Sequence, residues 1–463
     1  MNAQALFELD ATVRRGDHGR LLVGGTPPRL IRLSDRGAVA LNAILAGLEP
    51  DAGSITLARR LERGGILHPL PGDGPADPEV TAIVPVLDGG ERLGGLVAAL
   101  ATEGPVIVVD DGSHDGSAER AERAGARVVR HDAPRGPAAA RNAGLAAAGT
   151  VLVAFLDADC EVEAGWRRGL AELFATDPEL ALVGPRVRSA PGDSALARYE
   201  ASGGSPLDLG PHASLVGPSR RIAYLPAAAL LGRRAALLEL GGFDEALRFG
   251  EDVDLVWRAL AAGHRVRYAP SRAVTHRPRD TAAGFARQRA GYGGSAPELV
   301  RRHGSAAAPL RASRHSAAIW ASTLLLGPRA LPVALATSTA IVARRGDDGP
   351  ACLALAEVAL RGQAGATTHL ARVLVREWLP LGLAASLFSR RARAALLAAF
   401  VVDSLPAGQA AEGPAELARA SGLHLLDRAA YAAGMWRAMV GRRDFRALVP
   451  RGVPSTLERT RPR

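Results

Sequence analysis

The sequence predicts an α/β protein built on a doubly wound, mostly parallel sheet. A small winged-helix-like module precedes that sheet, and a helical region follows it. Three observations predict this. Between Val80 and Pro297, apolar runs of strand length ("VTAIVPV", "PVIVVD", "ARVVRH", "TVLVAFLD") alternate with helical stretches ("GERLGGLVAALAT", "GSAERAERAG", "GPAAARNAGLAAA"). That is the rhythm of strand–helix units feeding a parallel sheet. Residues 1–71 read as short strands joined by Gly and Pro turns around two short helices. From Glu298 onward the chain is rich in Ala, Leu and Arg and reads as helix.

Length and composition set the bounds. A chain of 463 residues, 48% of them hydrophobic, has room for more than one domain and can bury a sizeable core. The formal net charge is +10, and lysine is absent, so arginine carries all the positive side-chain charge. An Arg-, Ala- and Gly-rich coding bias accounts for most of this; a basic surface also suits phosphate-bearing substrates or acidic lipid. Nucleic acid is not an expected partner, because aromatics are only 4% of residues and no recognition motif is present. Two cysteines far apart, Cys160 and Cys352, exclude a disulfide scaffold and a cysteine-rich zinc site, and they suit a reducing cytosol. The opening "MNAQALFELDATVRR" mixes acids and bases too early for a signal peptide. The expected location is cytoplasmic, including the inner face of the cell membrane.

In the first module, "LFELDATVRR", "RLLVGG" and "PRLIRLS" are the strand candidates. "LSDRGAVALNAILAGL" is a helix capped by Ser34, and "ITLARRLERGGILHPL" supplies a second helix and a last extended piece. Residues 72–79, within "PGDGPADPE", are a linker by composition. The expected domains are therefore 1–71, 80–297 and 298–463. In the last of these, "SAAIWASTLLLGP" and "ALPVALATSTAIVA" are apolar but broken by Arg329. They fall short of the ~20 apolar residues of a membrane span and read as packing helices, as interfacial or re-entrant membrane helices, or as a membrane hairpin across Arg329.

The polar residues of the central region gather at strand ends, where open α/β sheets bind ligands. Pro85, followed by Val86, lacks an N–H and belongs at a strand terminus. In "VIVVDDGSHDGS", Asp110 and Asp111 end a buried strand; they read either as a helix cap or as acceptors for a nucleobase imide or ribose hydroxyl. Arg141, on the helix of "RGPAAARNAGLAAA", can reach a base or phosphate oxygen.

"FLDADC" ends another apolar strand on Asp157 and Asp159. Carboxylates there need compensation. A hard divalent cation, Mg²⁺ or Mn²⁺, bridging to substrate phosphates would supply it. "GGFDEALRFGEDVDLVWRAL" brings Asp244, Glu245, Glu251, Asp252 and Asp254. Of these Asp252 is the candidate general base, since adjacent helical positions diverge and only some of these acids can face one cleft. Glu251, Asp254 and Trp257 are placed on the acceptor side, Trp257 being either core or a sugar-stacking platform. His276, in "AVTHRPRD", is either structural or a third metal ligand. Gln288 and Tyr292, in "RQRAGYGGSAPEL", are further acceptor-side candidates.

In this order, "VPVLDG", "VVDDGSHDGS", "GPAAARNAG", "FLDADC", "GGFDE" and "GEDVDLVWR" resemble the GT-A fold, family 2 inverting glycosyltransferases, over most of Val80 to His276. The resemblance implies that Pro85 and Val86 line a nucleoside pocket and that Asp110 and Asp111 meet uracil. It places Arg141 at the base or diphosphate, Asp157 and Asp159 on the metal with His276 as a further candidate, and Asp252 as the base. Processive members carry Q-x-x-R-W; here "QRAGY" puts Gly291 and Tyr292 where Arg and Trp would stand.

With "LLVGGTPPRLIRLS" near the start, then "ARYEASGGSPLDLGP", "YLPAAALLGRRAAL", "YGGSAPELVRRH" and the tail "LDRAAYAAGMWRAMVGRRDFRALVP", the whole-chain layout resembles the mycofactocin-system glycosyltransferases. These build a short glucose chain, from UDP-glucose, on a peptide-derived redox cofactor. The first module is also similar to PqqD-type peptide-recognition modules, which implies maturation-pathway proteins as partners of residues 1–71. Two other readings stand beside this one: sugar transfer to a polyprenyl phosphate or cell-envelope glycan, and a non-catalytic peptide-binding scaffold.

Overall fold

The computed structural model describes residues 7–25, 28–48, 51–71, 79–346, 348–408, 411–453 and 458–459. All of the 72–79 linker except Glu79 lies outside the described residues. The chain forms two compact units. One comprises Met1–Pro69, Gly304–Leu405 and Met439–Arg463; the other comprises Leu70–His303 and Pro406–Ala438.

The second unit holds a nine-stranded sheet. Its strands are β1 (Val80–Val86), β2 (Val106–Asp110), β3 (Arg127–Arg130), β4 (Leu152–Leu156), β5 (Cys160–Val162), β6 (Leu180–Ser189), β7 (Ser214–Leu215), β8 (Ala229–Arg233) and β9 (Arg265–His276). The spatial order is β5-β9-β6-β8-β4-β1-β2-β3, with β7 paired to β9. Pairing is parallel from β4 through β1 and β2 to β3 and between β6 and β9. β8 runs antiparallel between β4 and β6.

β2 and β4 are buried along their whole length. Helices covering both faces of a parallel sheet require this, and it is why these strands read as unbroken apolar runs. One layer of the core gathers Val84, Val108, Leu156, Trp166 and Leu170. The crossover helices include α1 (Leu93–Ala101), α2 (Ser117–Arg123), α3 (Pro137–Ala147) and α4 (Trp166–Thr176), and α5 (Glu251–Ala261) leads into β9.

Two later helices complete this unit. α6 (Ala282–His303) runs through Pro297, and α7 (Pro414–Arg442) packs on it through residues of the 406–438 segment. The two backbones nearly touch. A Cβ on Gly293 would lie 2.0 Å from the Tyr431 carbonyl oxygen, and one on Gly434 would lie 1.9 Å from that of Ala290. Beside the crossing, buried polar groups are paired. The Tyr199 hydroxyl donates to Asp427 Oδ2 at 3.1 Å and lies 3.2 Å from His424 Nδ1. Arg289 donates to Glu200 Oε1 at 2.8 Å, and its Nε is 3.3 Å from Asp427 Oδ1. Burial, reinforced by the Asp427 charge, raises the Tyr199 phenol above its ordinary range.

In the first unit, strands Arg14–Gly16, Leu21–Gly24 and Arg29–Arg32 form an antiparallel sheet, and Glu458–Arg459 adds in parallel to the last. Helix Asp35–Leu45 is capped by Ser34, whose Oγ accepts from the Gly37 N–H, and helix Ala52–Arg63 is capped by Asp51. Their inner faces meet Val13, Leu22 and Ile66 in one core. Leu21 and Val23 pack instead on Ala351 and Leu355 of helix Gly349–Val375.

The remaining apolar stretches are helices Arg314–Leu326, Leu331–Ala343, Leu379–Phe388 and Arg390–Gly408. Among the described residues no helix is long and apolar enough to cross a membrane. Leu325, Leu326, Val333, Leu387 and Phe388 are nevertheless exposed, Phe388 at 90%.

Candidate active site

A cleft of about 1440 Å³ opens at the carboxyl ends of β1, β2 and β4. Pro85 and Val86 line it, and the chain beyond them is fastened to the loop after β2. Asp88 N–H donates to Ser113 Oγ, Gly89 N–H to Ser117 Oγ and Gly90 N–H to Asp115 Oδ2, at 2.8–2.9 Å. Asp88 Oδ1 accepts from the His114 N–H at 3.0 Å, and this holds Asp88 at φ 53°. The polar letters of "DDGSHDGS" thus mostly staple two loops into a rigid wall.

The two aspartates there separate. Asp110 is fully buried and does not line the cleft: Oδ1 accepts from the Ser113 N–H at 2.8 Å, and Oδ2 lies 3.4 Å from Arg130 Nε. It shapes the turn, so it is not brought to the nucleobase position expected for it. Asp111 does line the cleft. Its Oδ1 accepts from the Arg135 N–H at 2.9 Å and meets His131 Nδ1 at 2.7 Å, and its Oδ2 accepts from the Gly136 N–H at 2.7 Å. The carboxylate therefore positions the loop that starts α3. Nothing in the sequence near His131 marks it as Asp111's partner.

Arg141, buried on α3, lies between two acids. Nη1 donates to Glu251 Oε1 at 2.8 Å and Nη2 to Asp157 Oδ1 at 2.7 Å, with the guanidinium 5.4 Å above the Phe243 ring. Burial opposes its charge, but the two carboxylates outweigh that and raise its pKa. Arg141 is therefore a fixed cation joining the D-x-D strand end to α5. Next to it, the Asn142 side chain exchanges two 2.8 Å hydrogen bonds with the Phe243 backbone, which fixes the loop leading to α5.

Asp159 lies 3.3 Å from His276 Nε2 and 3.8 Å from Arg279 Nη2. Burial pushes its carboxyl up, but these cations prevail and hold it below the usual range. Burial likewise opposes His276's charge, and Asp159 holds its pKa above normal. Among the described residues, no three His, Cys, Asp or Glu side chains gather into a ready-made metal cage. Asp157, Asp159 and His276, expected together on a metal, all line this cleft, with Asp157 Oδ1 paired to Arg141 and Asp159 beside His276.

The residues still fit a cation supplied with its substrate. Asp159 Oδ1 is buried, with the His276 Nε2 at 3.3 Å but no hydrogen bond of good geometry, Asp157 and Asp159 both line the cleft, and Mg²⁺-type ions are commonly held by one or two carboxylates plus substrate phosphates. Arg277 and Arg279 also line the cleft. They stand in the quoted "THRPRD", yet sequence reasoning took only His276 from it.

On α5 the acids diverge. Asp252 lines the cleft, its Oδ2 accepting from the Ala227 N–H at 3.2 Å and its Oδ1 from the Val253 N–H at 2.8 Å. Burial, then the neighbouring Glu251 charge, raises its carboxyl to about 7. That is the range of a working general base. Glu251 lines the cleft too, but its carboxylate is engaged by Arg141.

Asp254 and Trp257, expected on the acceptor side, do not line the cleft. Asp254 is buried against Arg258 at 2.7 Å and His303 at 2.9 Å. The Trp257 indole donates to the Ala223 carbonyl at 2.8 Å and packs edge-on against His303. Both point to the far side of α5, into the interior. Gln288 and Tyr292, on α6, line the cleft.

Comparisons with known proteins give the family. Residues 81–225 match the family model "Glycosyl transferase family 2". The chain is 38% identical to a pre-mycofactocin glycosyltransferase of Mycobacterium tuberculosis over 461 residues, covering 96% of this chain and 97% of that protein. It is 36% identical over 198 residues to an uncharacterized glycosyltransferase of Mycobacterium bovis, covering 40% of this chain and 81% of that one. Among solved structures, a mannosyltransferase of Pyrobaculum calidifontis in complex with GDP-Man and Mn²⁺ aligns over 80% of this chain and 98% of its own, at 19% identity and a TM-score of 0.38. The match along nearly the whole chain, with the GT-A sheet and its strand-end cleft, gives the family: this chain belongs to the pre-mycofactocin glycosyltransferases of glycosyl transferase family 2.

Proposed function

We propose that this glycosyltransferase of mycofactocin biosynthesis moves a hexose, glucose first among candidates, from a UDP-sugar to a hydroxyl of the peptide-derived cofactor or of the glycan growing on it. The observation that carries the reading is Asp252, a carboxylate raised to about 7 in the cleft that also holds Asp157 and Asp159. Asp252 accepts the proton of the acceptor hydroxyl as that oxygen bonds to the anomeric carbon, and the bond from that carbon to the UDP oxygen breaks. One displacement inverts the donor's α linkage to β.

Asp157 and Asp159, with His276 as a further candidate, would hold Mg²⁺ or Mn²⁺, which when bound neutralises charge on the departing diphosphate. Arg141 keeps Asp157 and Glu251 in place, and Arg277 and Arg279 bring two guanidinium groups to the cleft as partners for diphosphate oxygens. Pro85, Val86 and Asp111 form the nucleoside wall. The 1–71 module is assigned to peptide or maturation-protein binding.

UDP release from UDP-glucose, with and without acceptor, together with a mass spectrum of the product, tests this. Asp252→Asn should lower turnover by about 10²–10⁴-fold while UDP still binds. Near-normal turnover in that variant would remove Asp252 from the role of base.

One observation favours a second reading. The exposed Leu325, Leu326, Leu387 and Phe388 lie on helices with Arg329, Arg390 and Arg391 nearby in sequence, a composition suited to the anionic inner face of a membrane and so to a lipid-borne phosphate acceptor. Product formation on a polyprenyl phosphate but not on the cofactor would decide for it. A chain that binds the precursor peptide but releases UDP from no UDP-sugar would instead be a scaffold.

A further inference from the structure

Asp111 reaches the cleft with most of its acceptor sites already occupied, and one of the groups occupying them stands behind it. An ionised carboxylate offers about four acceptor sites. On Asp111, Oδ1 takes the Arg135 N–H at 2.9 Å and meets His131 Nδ1 at 2.7 Å, and Oδ2 takes the Gly136 N–H at 2.7 Å. Because such a carboxylate only accepts, Nδ1 is the ring nitrogen that carries the proton. Oδ1 is then saturated, and the one site left open is on Oδ2.

The sheet itself places His131 there. β2 and β3 pair in parallel with Asp110 opposite Arg130, so the next residue of each, Asp111 and His131, leaves the sheet beside the other. The His131 N–H donates to the Asp110 carbonyl at 2.9 Å. The Asp111 N–H donates to the Val86 carbonyl at 2.8 Å, which ties its backbone to the end of β1. Asp111 lines the cleft, whereas His131 is buried and does not. The imidazole therefore acts only through the carboxylate that it orients.

A carboxylate with one open site reads a base edge differently from a free one. Uracil presents a single imide N–H between two carbonyls, and one acceptor satisfies it. Guanine presents its N1–H and 2-amino group side by side, and satisfying both takes both oxygens of a carboxylate. Cytosine sets a bare ring nitrogen, itself an acceptor, where the imide N–H of uracil stands. We infer that His131 is a positioning residue that fixes the base specificity of the donor site. By occupying Oδ1 it leaves Asp111 a single acceptor for an imide N–H, and it keeps the carboxylate from turning to take both donors of guanine. This rests on the reading of Asp111 as part of the nucleoside wall. It adds the residue behind that wall through which the base is selected.

The test compares ribonucleoside diphosphates, which differ only at the base, binding to the full-length protein with Mg²⁺ present, by calorimetry. Inosine diphosphate is the decisive probe, because it is GDP without the 2-amino group. The wild type should bind UDP tightest and inosine diphosphate at least as tightly as GDP. Reading by both oxygens would instead favour GDP over inosine diphosphate by roughly 10–100-fold, the effect of one further hydrogen bond to a charged group. His131→Phe keeps the bulk of the ring and removes its donor. It should weaken UDP roughly tenfold and shift the balance toward GDP over inosine diphosphate. His131→Asn, whose amide restores a donor, should return both quantities toward the wild type. A wild type that prefers GDP to inosine diphosphate by about tenfold or more would overturn the assignment without any variant. So would a folded His131→Phe protein whose ratio of GDP to inosine diphosphate affinity is that of the wild type. An unchanged UDP Kd in Asp111→Ala would instead take Asp111 out of the nucleoside wall, and the underlying reading of the donor site would fail.

Discussion

Transfer should have an acid limb near pH 7, and that limb should move when Glu251 is neutralised. Asp252 is raised from 3.8 to about 7, first by burial and then by the Glu251 charge. A base acts only when ionised. With a pKa of about 7, roughly 9% of Asp252 is ionised at pH 6 and roughly 91% at pH 8, so the rate should rise about tenfold across that span. Glu251→Gln removes one of the two causes. Ionising Asp252 then meets less repulsion, so its pKa falls and the limb moves to lower pH, while burial keeps it above the ordinary carboxylate range.

Because Glu251 also holds Arg141 at 2.8 Å, the variant should lose rate as well. The position of the limb, not its height, is therefore the diagnostic quantity. The assay is initial UDP release at saturating donor and acceptor, between about pH 5.5 and 8.5 at fixed ionic strength. A wild-type profile that is flat through this range, or a limb that stays in place in Glu251→Gln, would refute the assignment of Asp252 as the titrating base.

Two further outcomes are expected. Gly434→Ala, whose new Cβ would sit 1.9 Å from the Ala290 carbonyl oxygen, meets backbone rather than a flexible side chain; it should destabilise the protein by about 1–3 kcal/mol or more, seen as a lower thermal midpoint, and an unchanged midpoint would contradict the close crossing of α6 and α7. Removal of divalent ions by a chelator should abolish transfer, with recovery on adding Mg²⁺ or Mn²⁺, and undiminished activity in chelator would count against Asp157 and Asp159 as its ligands.

The parallel half of the sheet was readable because each strand buried on both faces is an unbroken apolar run, as in "VIVVD" and "LVAFL". Order alone also brought Pro85, Asp111, Arg141, Asp157, Asp159 and Asp252 to attention, and all of them line one cleft. What failed was phase and partnership. Asp110 and Asp111 are neighbours, yet strand alternation sends one into the turn and the other to the cleft. Glu251, Asp252, Asp254 and Trp257 share one short helix, and only its docking decides that the last two face inward. Arg141's double ion pair joins residues 16 and 110 positions away, a distance at which sequence periodicity carries no signal. β8 was equally hidden. "ALLGR" is apolar, but nothing local says that it runs antiparallel between β4 and β6.

The contact of Gly293 with the Tyr431 carbonyl has a consequence for how this protein is made. The helix bearing Gln288 and Tyr292 is fully synthesised at His303, but the segment that packs on it ends only at Ala438, about 135 residues later. At roughly 5–20 residues per second that interval is on the order of ten seconds, during which the back of α6 waits for its partner. Arg289 and Glu200 must spend it without Asp427. The catalytic unit thus cannot complete its packing in the order of synthesis: it is finished from the far end of the chain, when most of the other unit has already been made.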